Sequence, residues 1–267
     1  MAELDRSFGR SAFGLDPANY DAARPPYPER VYEILRAECG LRPATPVFEV
    51  GPGTGIATRR LIELGADPLV AVEPDPRLAA YLRRSVESPA LRVVEGAFET
   101  VELRAGAFRL GCAATVFHWL DPVPALNKAA RLLAPGGWWA MWWNMFGDPD
   151  VGFDAFHEAT KALLAGPRSP SAGIIGGPWF AQDRAERSAE LAATGAFEPP
   201  HYEEVRWTLI LDPPRVRALY ATYSEMAARP EPEREALLDR LQTLAQTEFG
   251  GRVERYGVTP IYWARRV

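Results

Sequence analysis

The spacing of apolar positions changes several times along the chain. In "YPERVYEILRAECG" (27–40), Val31, Ile34 and Leu35 fall at helical spacing and Gly40 stops the run, which predicts a helix with one buried face. From Thr45 onward, short apolar runs alternate with amphipathic ones. "TPVFEVG" (45–51), "PLVAVEP" (68–74), "LRVVEG" (91–96), "FRLGCAAT" (108–115) and "WWAMWWN" (138–144) read as buried strands. Between them "IATRRLIELG" (56–65), "DPRLAAYLRRSVES" (75–88) and "VPALNKAARLLAPGG" (123–137) read as crossover helices. The second has Asp75 as N-cap and Pro76 in its first turn.

Past Asn144 the alternation stops. Two helical stretches, 154–166 and 183–195, flank the flexible "GPRSPSAGIIGGPW" (166–179), which reads as an insertion over 145–200 rather than a separate domain. "YEEVRWTLIL" (202–211) then alternates with period two. Helices follow around Val216–Met226 and Glu233–Phe249, and "GVTPIYWARR" (257–266) ends the chain as a strand. The whole predicts an α/β fold: a Rossmann-like, doubly wound, mostly parallel seven-stranded sheet with an antiparallel edge strand and a helical insertion. One domain spans 1–267, with residues 1–40 as an N-terminal lid and helix and residues 145–200 as a cap over the acceptor site.

Composition narrows the partners. Among 267 residues, 30 basic side chains against 35 acidic give a net charge of −5, without the broad positive field that duplex nucleic acid demands. No nucleic-acid partner is expected. No apolar run reaches the roughly 18 residues of a membrane helix, and the first residues lack a signal-type apolar core. The expectation is therefore a cytoplasmic protein with no membrane partner, for which a homodimer is compatible. Cys39 and Cys112 lie among apolar neighbours as free thiols of a reducing compartment.

The chemistry concentrates in "FEVGPGTGIATRR" (48–60). Gly51, Gly53 and Gly55 follow a strand and open a helix, where a backbone without Cβ atoms can approach a ligand and unpaired N–H groups are available. The spacing departs from G-x-G-x-x-G and lacks the G-K-[ST] of a P-loop, so neither phosphate reading fits well; a ligand-free tight turn is the plain alternative. Glu73, at the end of the next strand, sits where an α/β site places an acid for ribose hydroxyls. Glu49 would repel a pyrophosphate and suits a ligand with an amino group or positive charge.

"EVGPGTG", "AVEPDPRL", "VVEGAFETVEL" and "FHWLDPVPALNKAARLLAPGG" resemble the successive motifs of class I S-adenosylmethionine-dependent methyltransferases. The resemblance covers 20–144 and is nearest the small-molecule branch of ubiquinone-biosynthesis and trans-aconitate methyltransferase types, whose N-terminal signature "YDAARPPYP" resembles. It implies S-adenosyl-L-methionine as cofactor and a small organic acceptor. Gly51, Gly53 and Gly55 would flank the methionine part, Glu49 its amino group, and Glu73, followed by Pro74, the ribose. Ala97 and Phe98 would flank adenine, and Ala114 and Thr115 the methionine end. Tyr20 and Arg24 would close over the cofactor, Arg24 clasping its carboxylate. The sequence departs from the family pattern at Arg109, where an acid is common, and at Ala97, where an acid or amide is common.

Methyl transfer from a sulfonium is an in-line displacement that needs positioning more than a particular catalytic group. His118 is the candidate general base, against a purely structural histidine at the turn after the fourth strand. Asp121 reads as an N-cap, and His157 and His201 receive no role. Of the four tryptophans in 138–143 most should be core, with one joining Trp119 and Asn144 at the acceptor; Trp179 and Phe180 are lid or anchor residues. A cofactor-binding protein without turnover and an NAD-dependent dehydrogenase are the competing readings.

Overall fold

The structure, a computed structural model, describes residues 3–147, 152–173 and 177–267. The middle of the glycine-rich stretch expected in the cap, 174–176, lies outside the described residues, as does 148–151. Eight strands form one sheet: β1 (Thr45–Val50), β2 (Ala66–Glu73), β3 (Leu91–Glu95), β4 (Phe108–Ala114), β5 (Leu133–Trp142), β6 (Met145–Phe146), β7 (His201–Leu211) and β8 (Val253–Arg265). The first five are parallel in the order β3-β2-β1-β4-β5. The antiparallel element expected from the C-terminal sequence is β8. It runs beside β5 and then β6 along one flank and carries β7 along the other, so the last strand enters the sheet one place in from its edge.

Both faces of the parallel strands are covered, which is why their sequences are apolar throughout rather than alternating. Side chains of successive residues in β5 divide between the two cores: Trp139, Met141 and the adjacent Trp143 pack with Phe48, Val72 and Leu126 on one side, while Ala140 and Trp142 pack with Val31, Leu35, Leu61 and Leu82 on the other. The tryptophan run is thus mainly core. Gly111 lies in β4 where a Cβ would stand 2.2 Å from the Phe48 ring; the glycine makes room for that aromatic side chain.

A third core, built from Phe156, Val216, Leu219, Tyr220, Leu238 and Leu241, joins the C-terminal helices to the start of β8 and the end of β7. Buried ion pairs brace this half of the molecule. Arg255 binds Asp154 at 3.0 Å and donates to the Tyr220 hydroxyl, and Arg187 forks onto Glu190 and reaches the Phe180 carbonyl.

Three elements differ from the sequence reading. The helix expected over 154–166 covers only Ala155–Thr160, where the Thr160 hydroxyl turns back onto the Phe156 carbonyl; beyond it the Leu164 and Ala165 carbonyls accept from Arg229. The helix expected over Val216–Met226 divides into Pro213–Ala221 and Ser224–Ala227. At the break the Thr222 hydroxyl bonds back to Leu219, and the Thr222 carbonyl accepts from Arg24. The N-terminal segment also contains helical turns, Gly9–Ala12 and Pro17–Ala23, too short for a periodic signal; the latter is capped by Asp16. No helix among the described residues is long and apolar enough to cross a membrane.

Gly111→Ala pushes a methyl into the Phe48 ring, and overpacking of this kind lowers stability by about 1–3 kcal/mol. Urea unfolding checks this; an unchanged midpoint would contradict the packing assignment.

Candidate functional site

The glycine loop joins the tip of β1 to the helix Ile56–Glu63. Gly51, Gly53 and Gly55 all have positive φ (59°, 59° and 92°), a region L side chains rarely adopt. A Cβ at Gly51 would strike Val116 and one at Gly55 would strike Leu82, whereas a Cβ at Gly53 would meet nothing within 4 Å. Gly53 is therefore the point where the bare backbone faces open space. The loop borders a cavity at the strand tips.

Three carboxylates line this cavity: Glu49 and Glu73, both buried, and the more exposed Glu99. Glu49 is fully buried; its Oε2 accepts from Thr58 Oγ1 at 2.6 Å, and its Oε1 has no partner. Glu73 is 4% exposed and accepts the Gly53 N–H on one oxygen and the Asp75 N–H on the other, both at 3.0 Å. Each of its oxygens keeps a second lone pair for a ligand hydroxyl. Burial pushes both carboxyls up to about 7; the Thr58 hydroxyl opposes this at Glu49, and the two N–H donors oppose it at Glu73. The one basic side chain bordering the cavity, Arg10, is paired with Glu99 at 3.1 Å. Such a cavity repels a pyrophosphate and suits a cationic ligand with a diol.

Pro74, Ala97, Phe98 and Ala114 border the same space, as the resemblance implied. Phe98 is buried and stacks on Phe48, giving that wall an apolar face. The roof is the N-terminal segment, fastened by Arg59 to Asp21 at 2.5 Å and by Arg77 to the Ser11 carbonyl at 2.6 Å. Phe13 and Tyr27, which the sequence reading missed, also border the cavity. Trp119 was expected on the acceptor side and instead borders this first cavity, its ring wedged under Gly9, where a Cβ would stand 2.2 Å away.

A second, larger cavity of about 500 Å³ lies beyond it between the sheet tips, the cap and the third core. Phe13, Tyr20 and Thr115 border both, so the two chambers meet there. Thr115 has a positive φ of 55°, unusual for a β-branched residue; its N–H donates to the Trp142 carbonyl, and its hydroxyl oxygen accepts from the Tyr27 hydroxyl at 3.0 Å.

Of the expected residues in the second chamber, His118 and Arg24 sit differently from the sequence reading, and Asn144 borders it as expected. His118 is buried, and its Nδ1 accepts from the Trp143 indole N–H at 3.1 Å. An indole nitrogen only donates, so the imidazole lone pair is engaged and Nε2 carries the proton. Burial, with Arg6 and Arg24 near, pushes its pKa down to about 3, so the ring is a neutral donor rather than the free base expected. Arg24 borders only this chamber. Its guanidinium lies over the Tyr20 and Tyr223 rings and donates to the Thr222 hydroxyl and carbonyl, away from the first cavity where it was expected to clasp a carboxylate. Asn144 does border the chamber, but its amide holds the Pro25 and Pro26 carbonyls and the Thr259 hydroxyl. Trp179 lines the chamber and Phe180 packs into the core beside Trp143, so one is a cap residue and the other an anchor. His157, assigned no role, also lines the chamber, stacked on Phe153 at 3.9 Å.

A cavity at the strand tips therefore meets a larger chamber under the cap. Residues 48–141 match the family described as "Methyltransferase domain". An uncharacterized methyltransferase of Mycobacterium tuberculosis is 29% identical over 236 residues, 88% of this chain and 86% of its own. An rRNA adenine N-6-methyltransferase of Saccharopolyspora erythraea is 35% identical over 99 residues, 34% of this chain and 26% of its own. Among solved structures, the Haemonchus contortus phosphoethanolamine N-methyltransferase 2 in complex with S-adenosyl-L-methionine shares the fold with a TM-score of 0.53 at 13% identity, over 89% of this chain and 52% of its own. A candidate methyltransferase of an antibiotic biosynthesis pathway in Anabaena variabilis gives 0.60 at 14%, over 87% and 96%. Residues 48–141 thus match a methyltransferase domain, and these likenesses together support S-adenosyl-L-methionine as the cofactor.

The carboxyls imply a pH dependence. A pKa raised on folding gives stability that is complete below the unfolded value near 4.5 and is lost as pH rises through about 7. A cationic ligand reverses that loss by pairing with the ionised acids. The rise in Tm on adding S-adenosylmethionine should therefore be larger at pH 8 than at pH 6. An equal or smaller rise at pH 8 would contradict the assignment, and reading the ligand-induced difference cancels the opposite trend from His118.

Proposed function

We propose that this methyltransferase acts on a small organic molecule bound in the second chamber. The observation that carries the reading is the meeting of the two cavities at Phe13, Tyr20 and Thr115, with a larger chamber of mixed aromatic and basic lining on the far side. An opening between narrow walls admits a small acceptor and keeps bulk water from the transferring methyl. The net charge of −5 argues against a polyanionic acceptor, so the partial likeness to rRNA methyltransferases is read as kinship in the cofactor half.

On this reading the cofactor supplies an electrophilic methyl, and the chain's own residues bind and orient it. Glu49 would take the amino group on its unpartnered Oε1, and Glu73 the ribose hydroxyls. Gly51, Gly53 and Gly55, with Ala114 and Thr115, would lie along the methionine end, and Pro74, Ala97 and Phe98 along the base. Tyr20 would close the passage between chambers. The Trp143 bond supports His118 as a hydrogen-bond donor to the acceptor in place of a base.

Tritium from methyl-labelled cofactor, incubated with an extract of small metabolites and separately with total RNA, tests the acceptor class. Label in the small-molecule fraction alone is expected; label in RNA alone overturns the reading. For the site itself, Glu73→Ala removes charge-assisted hydrogen bonds, and calorimetry should find cofactor binding weakened by about 1–3 kcal/mol. Unchanged affinity would remove Glu73 from the ribose role.

A further inference from the structure

Two polar side chains of the first cavity have no part in binding the amino group or the ribose. Glu99 follows β3 and Trp119 follows β4, and both border the cavity beside Ala97 and Phe98. Consecutive residues of the roof join them, since Gly9 lies against the Trp119 ring and Arg10 pairs with Glu99 at 3.1 Å. Ala97 has no side-chain acceptor to offer a base at this wall, and Glu99 supplies one. Its Oε1 accepts from Arg10, and no bond engages its Oε2 among the described residues. The turn that carries Glu99 is held from behind: the Thr100 and Val101 N–H groups donate to the Ala97 carbonyl, and the Lys128 ammonium donates to the Glu99 and Val101 carbonyls while lying over the Phe98 ring.

Trp119 supplies the complementary donor. Four buried indole N–H groups lack an acceptor among the described residues, those of Trp119, Trp139, Trp142 and Trp263. Of these four residues only Trp119 borders either cavity. An indole nitrogen can only donate, and a buried donor left unpaired is costly, so a ligand lone pair is favoured beside it. Adenine presents the matching set around its 6-position, an amine that donates next to a ring nitrogen that accepts. A 6-oxo base would set an oxygen against the Glu99 carboxylate instead, with lone pairs facing lone pairs.

We propose that Glu99 and Trp119 read the base of the cofactor and make the site selective for a 6-aminopurine over a 6-oxopurine. The Glu99 Oε2 accepts from the 6-amino group, and the Trp119 Nε1–H donates to a ring nitrogen beside it. Arg10 is a positioning residue: it orients the Glu99 carboxylate and fastens the roof at the same point. The Glu99 side chain is 30% exposed, so water tempers the selection without abolishing it.

The inference rests on the reading that lays the base along Pro74, Ala97 and Phe98, and its test separates the two. Calorimetry on the full chain compares S-adenosylhomocysteine with S-inosylhomocysteine, the same molecule with oxygen in place of the 6-amino group. The adenosyl compound should bind at least about tenfold more tightly, the worth of one charge-assisted hydrogen bond. Glu99→Gln, whose amide donates as well as accepts, should bring the two affinities within about threefold of each other. That ratio does not move with a general loosening of the fold. Trp119→Phe keeps an aromatic ring and loses the N–H; it should weaken S-adenosylhomocysteine about fivefold, with a thermal melt to show that the variant is folded. Equal affinity of the unaltered chain for the two compounds overturns the inference and leaves the cofactor reading standing, as does an unchanged ratio in Glu99→Gln. Unchanged affinity in folded Trp119→Phe overturns the role of the indole. Binding of neither compound by the folded, unaltered chain overturns the cofactor reading and the inference together.

Discussion

Two buried carboxylates under a bare stretch of backbone govern the design of this protein. Glu49 and Glu73 end adjacent parallel strands, and the topology that puts β1 and β2 side by side brings both acids to the same rim. Charge without a counter-ion is costly to bury, and the folded chain pays part of that cost by holding the acids near neutrality. A sulfonium nucleoside with an amino group and a diol supplies what each acid lacks. The glycines at 51, 53 and 55 are the geometric counterpart, since a side chain at any of them would be strained and would collide with a neighbour or project into ligand space.

The rest of the structure divides labour around that rim. The N-terminal segment roofs the first cavity through ion pairs and close packing on Trp119 and Asp75, while the cap and the third core enclose the second. Acid-rich and cation-rich chambers then stand on either side of Tyr20 and Thr115.

Most of the parallel half was legible in the sequence because there local and global signals agree. Buried strands, helix stops such as Gly65 and caps such as Asp75 each point to the same βαβ alternation, and the glycine loop and Glu73 that the motifs singled out border one cavity. The breaks at Thr160 and Thr222 were not legible, because at each the threonine hydroxyl turns back onto a carbonyl of its own helix, Phe156 or Leu219, a choice residue type alone does not announce. The same physics misled the reading of Arg24 and His118. Residue type named them as clasp and base; their roles turn on partners, Thr222 with Tyr223 and Trp143, that only tertiary packing supplies. Tyr27 and Phe13 escaped notice because aromatic residues in a short N-terminal segment carry no periodic signal.

A crystal structure of the complex with S-adenosylhomocysteine tests the central claim most directly. The account predicts both ribose hydroxyls on the Glu73 carboxylate, the amino group on Glu49 Oε1, and the sulfur at the passage by Tyr20 and Thr115. A nucleoside bound elsewhere, or an amino group distant from Glu49, would contradict it.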